Sequence, residues 1–249
     1  MSVAQAPAGN LLPRGNIKLG PAISSFSLPA KTTCPGATEL CKAKCYAARG
    51  RFVFGPLKDR LAAFRAFSLS PRFVGAILRT IRSGGISIVR IHVAGDFETP
   101  QSVRNWATIA YRSPYTIFYA YTRSWRVPDI LLELVTFAAL PNVRLWFSED
   151  RETGRSPETY RVRRAFLAVT NSDLDLVDPG VDLVFRDKKL RTPLKRVNGV
   201  QVCPAEDGVK RKVGPITCTQ CRICFRDSRK ANRHEATETS NSRAITEVR

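Results

Sequence analysis

Cysteine is the residue type in this chain that most directly implies chemistry, and its seven copies fall into two groups. The first is Cys34, Cys41 and Cys45, with six and then three residues between successive members. The second is Cys203 followed by Cys218, Cys221 and Cys224 in a CxxCxxC run. An odd count argues against a disulfide framework. Thiolates spaced this closely suit a metal, because several sulfurs must converge on one centre from a short loop. CxxCxxC wraps three ligands around one corner of an iron–sulfur cluster, and Cys203, followed by Pro204, is the natural fourth ligand of a closed [4Fe–4S] site. Zinc held by four cysteines is the rival reading, although zinc usually takes two separated CxxC pairs. The first group has three thiols only. Three protein ligands leave one metal position open, and an open position is where reactions take place. A fourth ligand from His92 or a carboxylate would instead make it a closed zinc site. The plain alternative is that Cys41 and Cys45, four residues apart, share a helix face as small apolar residues.

These ligands need a scaffold, and the pattern of apolar residues supplies one. Met1–Gly20 reads as a flexible arm. Strands are expected at Ile23–Leu28, Ile86–Val93, Thr116–Tyr121 and Val143–Phe147. Shorter candidates follow at Ala165–Val169, Val181–Phe185 and Val200–Val202. Helices are expected at Leu57–Leu69, from a Ser70-Pro71 cap to about Arg82, from Thr99-Pro100 to about Arg112, and over Pro128–Leu140. Strand–helix alternation implies βαβ units. The fold class is therefore α/β, a partial (β/α) barrel of about six mainly parallel strands with a cysteine-rich C-terminal extension. The expected divisions are 1–20 (arm), 21–200 (barrel core), 201–225 (four-cysteine segment) and 226–249 (disordered basic tail).

In such folds the working face lies where strands empty into loops. Four expected strand ends here carry polar, charged or aromatic clusters: Gly95-Asp96 after the second strand, Arg123 and Trp125 after the third, Glu149-Asp150-Arg151 after the fourth, and Arg186-Asp187 near the end of the core. Each has an ordinary alternative. Glu98 suits a helix N-terminus, Arg123 and Trp125 a stacked surface pair, Glu149 to Arg151 a solvated ion-pair loop, and His92 a satisfied core histidine.

Charge adds one more expectation. The chain carries 40 Lys+Arg against 21 Asp+Glu, a formal charge of +19. An excess of this size points to an anionic partner, nucleic acid or a nucleotide, with Arg186–Lys212 the densest basic stretch. The alternative is a solvated basic surface. No apolar run reaches the roughly 20 residues of a membrane span and no secretory signal precedes the core, so no membrane partner and a cytoplasmic location are expected.

Several stretches resemble the phage "gene product 88" family, whose members are uncharacterised: Asn16-Ile17-Lys18-Leu19-Gly20, Thr33-Cys34-Pro35-Gly36-Ala37-Thr38, Cys45-Tyr46-Ala47, Arg90-Ile91-His92-Val93-Ala94-Gly95-Asp96-Phe97, Ala120-Tyr121-Thr122-Arg123-Ser124-Trp125-Arg126 and Val202-Cys203-Pro204. A phage origin would make the cytoplasm that of the host. More remotely, the layout is similar to radical S-adenosylmethionine enzymes, in which three N-terminal cysteines hold an open [4Fe–4S] cluster in a partial barrel. The usual C-x3-C-x2-C spacing is replaced here by C-x6-C-x3-C. That resemblance implies one or two clusters, S-adenosylmethionine as cofactor and an external electron donor. It also implies cofactor contacts from Gly95 and Asp96. Tyr46 and Trp125 are expected to join them in binding the cofactor, and Asp96, Arg123 and Glu149 are the expected catalytic residues.

Overall fold

In the computed structural model the described residues are Pro7 and 9–159, 161–187, 189–190, 194–207, 210–211 and 214–226. Six strands run parallel in chain order: β1 (Ser24–Phe26), β2 (Ile88–Ile91), β3 (Ile117–Thr122), β4 (Val143–Glu149), β5 (Arg163–Ala168) and β6 (Leu183–Arg186). Sequential order is how a (β/α) barrel winds. Here β1 and β6 remain the edges, so the sheet is open.

Short α1 (Glu39–Lys44), then α2 (Gly55–Ser68) and α3 (Phe73–Gly84), separate β1 from β2. The crossover helices α4 (Pro100–Tyr111) and α5 (Pro128–Ala138) follow β2 and β3. Helix α4 begins as its sequence predicts: Thr99 and Ser102 form a reciprocal capping box, with Pro100 in the first turn. Helix α3 ends on Gly85, whose φ of 55° is the left-handed conformation glycine adopts without strain. Ser70, expected to cap α3, does not. The helix starts after Arg72, and only the Ser70 carbonyl takes part, accepting from the Phe73 N–H.

Strand periodicity sends alternate side chains to two different cores. Val89, Ile91, Phe118, Ala120, Leu145 and Phe147 face the helices and pack with Phe64, Phe73, Ile77, Trp106, Leu134 and Phe137. Burial of each large side chain contributes about 1.5–3 kcal/mol. On the opposite face Tyr119, Trp146, Ala165 and Leu183 are covered by Leu19, Ile23, Cys203, Cys218, Cys224 and Phe225. The cysteine-rich segment is thus the second layer over the sheet. A third, valine-rich core (Val177, Val181, Val184, Val197, Val200, Val202) replaces helices beside β5 and β6. There the last expected strand is β8 (Val200–Gln201), which pairs in a hairpin with β7 (Arg196–Val197), while Val202 bridges Val184 of β6 in parallel.

Two expectations are corrected. Residues 11–20 are not a loose arm: Leu11, Leu12 and Leu19 are buried. His92 is no metal ligand. Its φ of 55° interrupts the alternation of β2 and turns the ring into the helix-side aromatics, edge-on to Phe97 at 4.8 Å. The tail beyond Arg226 lies outside the described residues. Among the described residues no single helix is long and apolar enough to cross a membrane.

Candidate functional site

The loop after β1 carries Cys34, Cys41 and Cys45 across the C-terminal ends of the other strands, and nearly every strand end holds it. From the end of β2, the Asp96 N–H donates to the Thr33 carbonyl (3.2 Å). Gly95, at φ 78°, lies so close that a Cβ would come within 2.6 Å of Leu28 Cβ and of Thr33 Oγ1. From β3, the backbone of Arg123 touches the loop directly. A Cβ on Gly36 would sit 1.9 Å from the Arg123 carbonyl oxygen, so only glycine permits this approach. Arg126 Nη1 donates to the Gly36 carbonyl (2.9 Å). From β4, Asp150 Oδ2 accepts from Thr38 Oγ1 (2.8 Å), and that hydroxyl in turn caps α1 by accepting from the Cys41 N–H (3.0 Å). From β6, Asp187 pairs with Lys44 at 3.5 Å.

The thiols stand inside this ring of braces. Arg123 Nη1 is 3.4 Å from Cys41 Sγ, and its Nη2 is 3.1 Å from Asp150. Burial pushes the Cys34 thiol up to about 12, with Asp96, Cys41 and Cys45 adding to the rise. Burial also raises Cys41, against the opposing pull of Arg123. Asp96 is buried and held up by desolvation, while one carboxylate oxygen accepts the Phe97 N–H and the other the Arg123 N–H, both at 2.8 Å.

The rear thiols are set differently. The Cys203 N–H donates to the Val184 carbonyl (2.8 Å), which fixes it along β6. The short helix α6 (Cys218–Cys221) is capped by Thr217 and Gln220, and its first residues dock on the N-terminal turn. There the Cys218 N–H donates to the Lys18 carbonyl (2.8 Å) and the Thr219 N–H to that of Leu19 (3.0 Å). Cys224 is fixed by side chains of the sheet. Tyr121 Oη donates to its Sγ (2.9 Å) and Trp146 Nε1 to its carbonyl (2.9 Å). Arg163, stacked 4.1 Å from the Trp146 ring, donates to the carbonyls of Ile223, Cys224 and Arg226. Burial pushes the Cys224 thiol up to about 12.

Two cations face this rear set. Lys18 is held below its ordinary range by burial while Cys203, Cys218 and Cys224 pull it back up. Arg90, the one charged residue of β2, stacks over Tyr121 at 4.4 Å and Tyr119 at 5.1 Å. Its field reaches Cys224 on one side and Tyr46 on the other. Tyr46 in turn neighbours all three front thiols and donates its hydroxyl to the Val93 carbonyl. Arg90 is thus linked to the rear set through Tyr121, whose hydroxyl donates to Cys224. All seven cysteines are free of disulfides. Among the described residues no three His, Cys, Asp or Glu side chains stand in the geometry of a single-ion site.

Of the expected site residues, the structure gathers Cys34, Cys41, Cys45, Tyr46, Gly95, Asp96 and Arg123 at the front, and Cys203, Cys218, Cys221 and Cys224 at the rear. Three expectations are corrected. Glu149 is not placed for catalysis: it is buried and gripped by Arg164 (2.7 and 2.9 Å) and Ser156. Trp125 packs in the helix-side core, with its indole N–H on the Ser148 carbonyl (3.1 Å). Arg186 is buried against Asp207 (2.7 Å), so it grips no phosphate. Sequence reasoning missed Arg90, Tyr121, Lys18 and Gly36. Arg90 was visible as a charge inside an apolar strand, whereas the other three depend on contacts made across long stretches of chain.

A family model described as Gene product 88 matches residues 5–236. The chain belongs to this family. The Gene 88 protein of Mycobacterium phage L5 is 25% identical over 230 residues, covering 86% of this chain and 87% of that protein. The matched residues include both cysteine sets. No solved structure matches the chain.

Proposed function

We propose that this Gene product 88 member is an iron–sulfur protein of the radical S-adenosylmethionine type, acting on a nucleotide or nucleic acid. In this reading an open cluster sits on Cys34, Cys41 and Cys45, and a closed one on Cys203, Cys218, Cys221 and Cys224. The observation that carries it is the packing of Cys203, Cys218 and Cys224 together on one face of the sheet, with Tyr121 Oη donating to Cys224 Sγ and Lys18, paired with Glu206, beside them. Thiols that converge in this way suit a shared metal centre. At the front, three thiols, a strand-end glycine and an acidic residue share one loop platform, which suits a cluster with one free position.

When bound, a reduced cluster and S-adenosylmethionine supply one-electron chemistry. The chain's own residues do the rest. Asp96 holds the backbone of Arg123 in place, and Arg123 sets a positive charge beside Cys41. Thr38 and Asp150 fix the start of α1, so that Cys41 and Cys45 keep one orientation. Tyr46 and Arg90 close the side toward the rear set.

Anaerobic purification with iron, sulfide and zinc analysis tests the reading, followed by electron paramagnetic resonance of the reduced protein with and without S-adenosylmethionine. Iron with matching sulfide, and a signal that shifts on adding the cofactor, are expected. Stoichiometric zinc without sulfide overturns the cluster assignment. An iron signal indifferent to S-adenosylmethionine overturns the cofactor assignment.

A further inference from the structure

Directly after the last front thiol the chain makes two short 3-10 turns, Tyr46–Ala48 and Gly50–Val53, before α2 begins. This segment forms an exposed lip beside the site. Tyr46 is 57% exposed and Phe54 62%, and Arg49, Arg51 and Val53 are exposed with them. Phe52 packs edge-on against Tyr46 at 6.1 Å, which keeps the aromatic group in one body. From Leu40 to Lys58 there are five basic residues, Lys42, Lys44, Arg49, Arg51 and Lys58, and no acidic one. Lys42 and Lys44 are paired with Glu39 and Asp187. Among the described residues Arg49 and Arg51 have no acidic partner, and Arg49 bonds only to the Ala43 carbonyl (3.4 Å).

Exposed aromatic rings beside guanidinium groups free of carboxylates are the materials of a single-strand platform. Bases stack on the rings, and the arginines track the phosphates. A membrane surface would call for an amphipathic helix lying flat with its apolar side outward. The adjoining helix α2 instead buries Leu61, Phe64 and Phe67 in the core. The chain's charge of +19 fits a polyanion. We infer that the Tyr46–Phe54 lip docks a single-stranded stretch of nucleic acid and presents an unpaired base to the front thiols. What then happens to that base rests on the function proposed above; the docking itself requires no cluster.

The test uses the full chain, with metal content measured beforehand. Fluorescence anisotropy follows binding of a labelled oligothymidylate, the same strand in duplex, and vesicles of phosphatidylserine and phosphatidylcholine. The wild type is expected to bind the single strand more tightly than the duplex. Phe54→Ala should weaken it about fivefold or more, the low end of base stacking. The double variant Arg49→Ala/Arg51→Ala should reduce the slope of log K against log[salt] by about 1.4. Both variants should keep the wild-type melting temperature and metal content. Equal binding of duplex and single strand, unchanged binding by both variants, or binding to vesicles but not to the oligonucleotide would each overturn the lip assignment. A wild type that binds the strand but carries neither iron nor sulfide would overturn the cluster reading alone.

Discussion

The two cysteine sets sit on the same sheet, one at its C-terminal rim and one on its face, and are held by opposite means. The front loop is held by polar braces at the sheet's rim: backbone amides, Thr38, Asp150, Arg123 and Arg126. It has few apolar neighbours, and its three cysteines are only partly buried. The rear segment lies on the face of the sheet under Tyr121, Trp146 and Phe225, with three of its four cysteines buried. The first arrangement fixes orientation while leaving access. The second excludes water and makes the segment part of the core. Under the proposed function, this difference would give the front set the reacting role and the rear set a structural or electron-holding one.

Mutation can break that contrast, and the largest effect is expected at the rear. Cys218→Ser or Cys224→Ser should release the covering layer along with its metal, which limited proteolysis and circular dichroism would record. Cys41→Ala should remove only the front metal and leave the melting curve near wild type. If both sets behaved alike, the division of roles would fail.

Next in size is Glu149→Gln. Glu149 and Asp178 share Arg164, whose guanidinium burial alone would weaken but which their hydrogen bonds hold above its ordinary range. Breaking a buried pair costs about 3–5 kcal/mol, so chemical denaturation should show a large loss while metal content persists. Loss of activity without loss of stability would return Glu149 to the chemistry.

Gly36→Ala follows. The added methyl has no room against Arg123, and the loop must shift at a cost of about 1–3 kcal/mol. Front metal content should fall and rear content should not.

The smallest effect concerns His92. Burial, with Arg90 adding to it, holds its ring down to about 3. The folded state therefore refuses a proton that the unfolded chain accepts below about 6.5. That contribution is fully present above about pH 6.5 and is lost at about 1.4 kcal/mol per unit as pH falls toward 3. His92→Asn, which tolerates the left-handed backbone, should flatten the stability–pH curve between about pH 6.5 and 4.5 relative to wild type. Parallel curves would refute the buried neutral assignment.

Most of the sheet was legible because its causes are local. β-Branched runs, Thr99-Pro100 and Gly85 each act within a few residues, and the strands fall within about two residues of their expected bounds. For the same reason the strand-end rule anticipated that Asp96 and Arg123 would stand at the rim, where they contact each other and Arg123 reaches Cys41. It misjudged Glu149 and Arg186, because a charged residue at a strand tip reads the same whether it faces a substrate or a buried partner, and here Arg164 and Asp207 decide. For His92 the sequence left ligand and core histidine both open, and one positive φ, which reverses the face that alternation assigns, decides for the core. The N-terminal turn escaped notice because its partners lie at the far end of the chain.

That last pairing has a temporal consequence. Lys18 and Leu19 wait for Cys218 and Thr219, and Thr219 Oγ1 reaches the Leu19 carbonyl across 200 residues. At ribosomal rates of about 5–20 residues per second, that interval is on the order of 10–40 s. The front cysteines emerge early in translation, whereas the rear lid shuts only as the final segment leaves the exit tunnel. If the cysteine sets take up metal as proposed, the order of synthesis gives the front set a head start, while the rear set would have to be filled at the moment of closure.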